Sequence, residues 1–136
     1  MKTLHVDIVT PSKTPYKGDI QSITLPGTKG NFQVLYNHAP LMSSLEIGQI
    51  KIVDEHNEKK IFATSGGTIE VLNNKVIVLA ETFENPEDID TQRAEEAIKR
   101  AKKRIAKETE EKDIDIFRAE LALRRAINRL KLAKKI

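Results

Sequence analysis

The sequence predicts an α+β chain: an antiparallel β-sandwich or flattened barrel over residues 1–86, followed by an antiparallel two-helix hairpin over residues 87–136. Three observations predict it. The apolar period changes from about 2 to about 3.6 near residue 87, the switch from strand to helix patterning. All six Gly and all five Pro lie at or before Pro86, so the second half carries no breaker. Hydrophobic residues make up 39% of the 136 and aromatics only 4%, with no Trp, so the core rests on Val, Ile, Leu and Ala.

In chain order, Leu4, Val6 and Ile8 alternate with His5 and Asp7, and then Pro11 and Pro15 interrupt. Ile20, Ser22 and Thr24 alternate with Gln21, Ile23 and Leu25 before Pro26-Gly27 ends the run. Further short runs are Phe32-Gln33-Val34-Leu35, Ile50-Lys51-Ile52-Val53, Lys60-Ile61-Phe62-Ala63 and Thr68-Ile69-Glu70-Val71. Asn73-Asn74-Lys75 joins Ile69-Glu70-Val71-Leu72 to Val76-Ile77-Val78-Leu79, and Asn tolerates the positive φ of a tight hairpin. Many short strands without intervening helices suit a sandwich or flattened barrel.

From Asp90 the pattern is helical, with Ala94, Ala97, Ile98, Ala101 and Ile105 on one stripe. The polar stretch Lys107-Glu108-Thr109-Glu110-Glu111-Lys112 separates it from a second stripe, Ala119, Ala122, Leu123, Ala126, Ile127 and Leu130. Asp113 or Asp115 is the expected N-cap of that second helix. A connection this short joins antiparallel neighbours. The two helices also repeat each other. At an offset of 25, ten positions between 88–105 and 113–130 are identical, among them Arg93/Arg118, Ala94/Ala119, Arg100/Arg125, Ala101/Ala126 and Arg104/Arg129. Small Ala side chains let two helices approach closely but bury little, roughly 0.8 kcal/mol per CH₂-sized group. About forty helical residues have no core of their own and must lean on something else.

Charge is uneven. Residues 1–86 hold eight basic and nine acidic residues, and residues 87–136 hold fifteen and eleven, within a net charge of +3. A charged partner for the basic half and a solvated, salt-bridged helix face both fit this asymmetry. Arg100 with Arg104, and Arg125 with Arg129, are i, i+4 pairs suited to phosphate, because the guanidinium fork makes bidentate, charge-assisted hydrogen bonds. Glu96 also stands at i, i+4 from Arg100, so an intrahelical ion pair competes with that reading.

Enzyme chemistry finds no support in the pattern. With no Cys, thiol catalysis, disulfides and Cys-based zinc sites are excluded. His5, His38 and His56 lack metal-ligand spacing, and Ser43 and Ser44 lie in no nucleophile-type Gly motif. His38 is expected to be structural. Ser65-Gly66-Gly67 lacks the helix start and Lys of a phosphate loop. Interspersed Glu and the lack of stacking aromatics argue against nucleic-acid binding. No apolar run approaches the roughly 20 residues that cross a bilayer. The start, Met1-Lys2-Thr3-Leu4-His5-Val6, has neither signal-peptide nor transit-peptide character, which favours a bacterial or organelle-encoded chain.

The segment from Gly30 through Phe32 to His38-Ala39-Pro40-Leu41 resembles the Gly-x-Phe…His-Ala-Pro-Leu segment of F-type ATP synthase epsilon subunits. Ser65-Gly66-Gly67-Thr68-Ile69-Glu70-Val71 and Val76-Ile77-Val78-Leu79-Ala80 are similar to that family's closing strands. Ile89-Asp90-Thr91-Gln92-Arg93-Ala94 resembles its Ile/Leu-Asp-x-x-Arg-Ala nucleotide-binding motif, and the likeness continues through the second helix to Leu130. The resemblance implies a non-catalytic central-stalk rotor component that couples proton flow to ATP synthesis. It implies a sandwich (1–86) bound to the gamma subunit and the c-ring, and a regulatory hairpin (87–136) that inhibits ATP hydrolysis at the catalytic α/β head. It implies peripheral attachment at the cytoplasmic face of a bacterial cell membrane. No cofactor is required, and ATP is a regulatory ligand whose contacts would be Glu84, Asp90, Arg93, Ala94, Arg100, Arg125 and Arg129. Many relatives carry Gly at the place of Gln33 and Pro-Gly at the place of Tyr36-Asn37. The alternative function is a stand-alone nucleotide-sensing module.

Overall fold

A computed structural model describes residues 2–108 and 116–133, apart from the side chains of residues 107, 108 and 116. The chain divides into two compact units, residues 1–85 and 86–136.

The first unit is a nine-stranded sheet: β1 (Leu4–Val9), β2 (Tyr16–Gly27), β3 (Gly30–Leu35), β4 (Leu41–Leu45), β5 (Gly48–Asp54), β6 (Lys59–Thr64), β7 (Gly67–Leu72), β8 (Lys75–Ala80) and β9 (Phe83–Glu84). Its order is β1-β8-β7-β4-β2-β5-β6-β9, with β3 on β2 and a further β1–β2 pairing that closes a ring. The long β2 makes that closure possible. Its first half pairs with β1 (Leu4↔Ile20) and its second with β3 (Leu25↔Phe32), and its register against β5 slips between Ile20 and Ser22. Such an irregularity bends a strand, which lets one strand serve two layers. All pairings are antiparallel except β1 with β8, which is parallel (Val6↔Val76).

The alternation read in β1 and β5 lands as expected, whereas in β2 the slip between Ile20 and Ser22 leaves Ile20, Ser22, Ile23 and Leu25 all buried. Leu4, Val6 and Ile8 are buried, as are Ile50 with Ile52 and Val76 with Val78. They form one aliphatic core with Ile20, Ile23, Leu25, Val34, Ile69 and Val71. Phe83, on β9, stacks on Phe62 with centroids 4.3 Å apart, and Phe62 meets Tyr16 edge-on at 5.8 Å. Asn73 and Asn74 have φ of 51° and 60° between paired Leu72 and Lys75. That is the two-residue hairpin in which both central residues must be left-handed. At Gly67 an added Cβ would collide with the Leu79 carbonyl oxygen, so close strand approach requires glycine there.

The second unit begins with a single 3₁₀ turn, Pro86–Asp88, followed by α1 (Thr91–Glu108) and α2 (Ile116–Ala133). Asp90 caps α1, its Oδ1 accepting the Arg93 N–H at 3.1 Å. Buried Ile89 and Ala94 flank that cap as an apolar staple. The helix runs through Lys107 and Glu108, which the sequence had placed in the polar connection; both are good helix formers. The expected caps Asp113 and Asp115, and the rest of the connection, lie outside the described residues.

Candidate functional site

The hairpin is built on its internal repeat. Ala94, Ala101, Ala119 and Ala126 are buried, seven residues apart within each helix. Ala94 and Ala101 recur 25 places on as Ala119 and Ala126, so the repeat is the packing seam. The two helices pack against each other along their length. Each of the four alanines is immediately preceded by an arginine: Arg93, Arg100, Arg118 and Arg125. A turn of about 100° per residue puts each arginine on the same flank of its alanine. Because the helices repeat and run oppositely, the two flanks fall on one side of the hairpin. Glu95 and Glu120 follow two of the alanines and belong to the opposite side.

Of the nucleotide set expected from the resemblance, Asp90, Arg93 and Ala94 thus form the first turn of α1, with Ala94 in the seam and Arg93 exposed. Arg100 is exposed two turns on, Arg125 is exposed on α2 and Arg129 is half-buried one turn further. The geometry brings Arg93, Arg100 and Arg125 onto one side of the hairpin. Asp90 is committed to its cap, and Ala94 has only its backbone to offer, whose N–H goes to the Asp90 carbonyl at 3.0 Å. The competing Glu96–Arg100 ion pair is not formed among the described residues. Glu84 belongs to β9 in the first unit, half-buried and paired in register with Ala63.

A second candidate surface lies on the outward face of β4, β7 and β8. Register aligns Met42, Glu70 and Ile77 in one row and Ser44, Thr68 and Leu79 in the next. Met42 is 80% exposed, Leu79 53% and Leu72 48%, around the single carboxylate of Glu70. The row widens into a shallow depression lined by Met42, Thr68, Glu70, Ile77 and Leu79, continuous through Glu70 and Ile77 with a second one beside Leu72 and Asn73. Large apolar side chains grouped on one face of a sheet mark an interaction surface. The sequence reading missed this surface because it did not anticipate β4. The serines Ser43-Ser44 give this segment no apolar alternation, and its strand character comes from pairing with β7. The available signal was Val76-Ile77-Val78-Leu79, an unbroken apolar run of the kind a strand covered on both faces shows. His38 is half-buried, its Nδ1–H donating to the Ala39 carbonyl at 2.6 Å, which is the structural role expected of it.

Comparison with known proteins gives the family of the chain. The family model described as ATP synthase, Delta/Epsilon chain, beta-sandwich domain matches residues 3–86, and that of the long alpha-helix domain matches residues 87–134. The chain belongs to the ATP synthase delta/epsilon chain family. An ATP synthase epsilon chain of Pelotomaculum thermopropionicum is 49% identical over 108 residues, 79% of this chain and 80% of that one. One of Salinibacter ruber is 44% identical over 110 residues, 75% of this chain and 74% of that one. Among solved structures, a chain of the Euglena gracilis mitochondrial ATP synthase (OSCP/F1/c-ring) shares the fold, with a TM-score of 0.80 and 18% identity over 93% of this chain and 78% of that one. A chain of the Tetrahymena thermophila mitochondrial ATP synthase central stalk and c-ring aligns with a TM-score of 0.59 and 16% identity over 98% and 96%. Family membership makes the chain a non-catalytic subunit rather than an enzyme in its own right. Among the described residues, no helix is long and apolar enough to cross a membrane.

Proposed function

We propose that this chain is the epsilon subunit of a bacterial F-type proton-translocating ATP synthase, a rotor component of the central stalk. The observation that carries the reading is the pair of family models that tile residues 3–134 in order, together with epsilon-chain relatives at up to 49% identity. In this reading the sandwich docks on the gamma subunit and c-ring, and the apolar face of Met42, Leu72, Ile77 and Leu79 is the docking surface for gamma. Attachment to the complex holds the chain at the cytoplasmic face of the cell membrane as a peripheral component.

The hairpin is the regulatory element, acting on the catalytic α/β head and suppressing ATP hydrolysis. Its side bearing Arg93, Arg100 and Arg125 supports a second role, binding the phosphates of ATP, with Arg129, Asp90, Ala94 and Glu84 as the remaining contacts expected from the resemblance. Arginine forks on one side of a helix pair suit a polyphosphate, and ATP is then a ligand rather than a cofactor.

Titrating the full chain into an epsilon-depleted α/β/gamma complex tests the docking reading. Binding that Met42→Asp abolishes supports it, and no binding by the unaltered chain overturns it. Titrating ATP into the isolated chain tests the second role. Saturable binding lost in Arg93→Ala and Arg125→Ala supports it, and equal binding by those variants overturns it. A stand-alone nucleotide sensor would bind ATP tightly and ignore the α/β/gamma complex.

A further inference from the structure

The connection between β3 and β4 is held by side chains rather than by strand pairing. Leu35-Tyr36-Asn37-His38 forms a turn closed by the His38 N–H to the Leu35 carbonyl at 3.1 Å, with Asn37 at φ 63°. A left-handed third residue is the place for Gly or Asn in such a turn. Any residue at 37 can offer its backbone N–H, but Asn37 also accepts a bond through its side chain, which glycine cannot. The Asn37 backbone N–H donates to Asn74 Oδ1 at 2.6 Å, and Asn74 Nδ2 donates back to Asn37 Oδ1 at 3.2 Å.

Asn74 is itself the second left-handed residue of the β7–β8 hairpin, and its carbonyl accepts the His5 N–H at 3.0 Å. One residue therefore ties the start of β1, the β7–β8 turn and the β3–β4 connection together. The Lys2 ammonium stands 5.4 Å from the centroid of the Tyr36 ring, adding a cation–π contact at the same end. This node borders the apolar face. Leu72 immediately precedes the Asn73-Asn74 turn, and Tyr36 and Leu35 are exposed beside it on the other connection.

We propose that Asn37 and Asn74 form a two-way amide clamp that presets the Tyr36-Asn37-His38-Ala39-Pro40 connection as a rim of the docking face, making both positioning residues for partner binding. The proposal rests on the docking reading above. The clamp raises affinity by ordering the rim before the partner arrives, since a segment already held in its bound conformation loses less freedom on association.

Glycine at either position keeps the left-handed backbone; Asn74→Gly removes both hydrogen bonds, whereas Asn37→Gly removes only the one its side chain accepts. Each full-length variant, and the double, is titrated into the epsilon-depleted α/β/gamma complex, and hydrogen exchange of the Asn37 amide is read on the isolated chain. Asn74→Gly is expected to weaken binding about fivefold, the scale of one net hydrogen bond, chiefly through faster dissociation, and Asn37→Gly, which keeps the backbone N–H bond, by less. The double variant is expected to be no weaker than Asn74→Gly alone, because the Asn74 side chain takes part in both bonds. Exchange at the Asn37 amide is expected to accelerate in Asn74→Gly. Affinities equal to that of the unaltered chain, or single effects that multiply in the double, overturn the proposal. If the unaltered chain does not bind the complex, the docking reading falls and the rim's role falls with it. Exchange then still decides the clamp, since an Asn37 amide that Asn74→Gly leaves unchanged contradicts it.

Discussion

The two units bury different things. In the sandwich, the side chains with essentially no exposure are Ile8, Ile20, Ile23, Leu25, Ile50 and their like, drawn from most of its strands. In the hairpin, the seam residues are Ala94, Ala101, Ala119 and Ala126, supplemented by Ile89 and Leu132. Fully burying a branched aliphatic side chain contributes about 1.5–3 kcal/mol, and an alanine methyl roughly 0.8 kcal/mol. The sandwich therefore carries its own stability, whereas the hairpin owes its form to close backbone approach and to helix propensity. A sandwich with a large core and a hairpin with a thin seam are what the proposed docking and regulatory roles respectively need.

The contrast can be broken at its strong end first. Ile23→Ala in the sandwich core is expected to destabilise that unit by about 3 kcal/mol, read as a lowered urea midpoint of the β signal. A comparable loss in helix signal at lower urea than the β transition would separate the units; a single shared transition would join them. Ala101→Leu attacks the seam by overfilling it. It is expected to weaken helix pairing by about 1–3 kcal/mol while leaving the β transition in place, measured by hydrogen exchange along α1 and α2. Asp90→Ala removes the cap and is expected to cost about 1 kcal/mol, confined to exchange in the first turn of α1.

The smallest effect belongs to the β5–β6 connection. The Asp54 carboxylate is held below the ordinary carboxylate value of 3.8 chiefly by the Glu58 N–H at 3.0 Å; burial works against this, and the His56 N–H and Lys60 reinforce it. A carboxyl depressed in the folded state stabilises above its unfolded value, and that contribution fades as pH falls through the folded value. Asp54→Asn is thus expected to lower the urea midpoint of the sandwich at pH 7 and to flatten its decline below pH 4, with no effect on the helices.

Much of this contrast was legible in the residues. Val6 and Ile52 betray their faces by alternation, and the 25-residue repeat carries the seam. Three features were not legible. The parallel β1–β8 pairing is a long-range choice, because nothing within Leu4–Val9 encodes the direction of its neighbour. β4 takes its strand form from β7, and β9 is two residues long, below what a period can show. For the site, Arg100 and Arg125 follow from spacing, but Glu84 and Asp90 came only from resemblance, and Asp90 proves also to be a cap. The Asn37–Asn74 clamp spans 37 residues and has no sequence signature at all.

The central claim is a docking sandwich with a regulatory arm. It is tested most directly by ATP hydrolysis in an epsilon-depleted α/β/gamma complex, with the chain added whole or ended at Asn85. The account predicts that both forms bind and only the whole chain suppresses hydrolysis. Equal suppression by the shortened chain, or binding by neither, would contradict it.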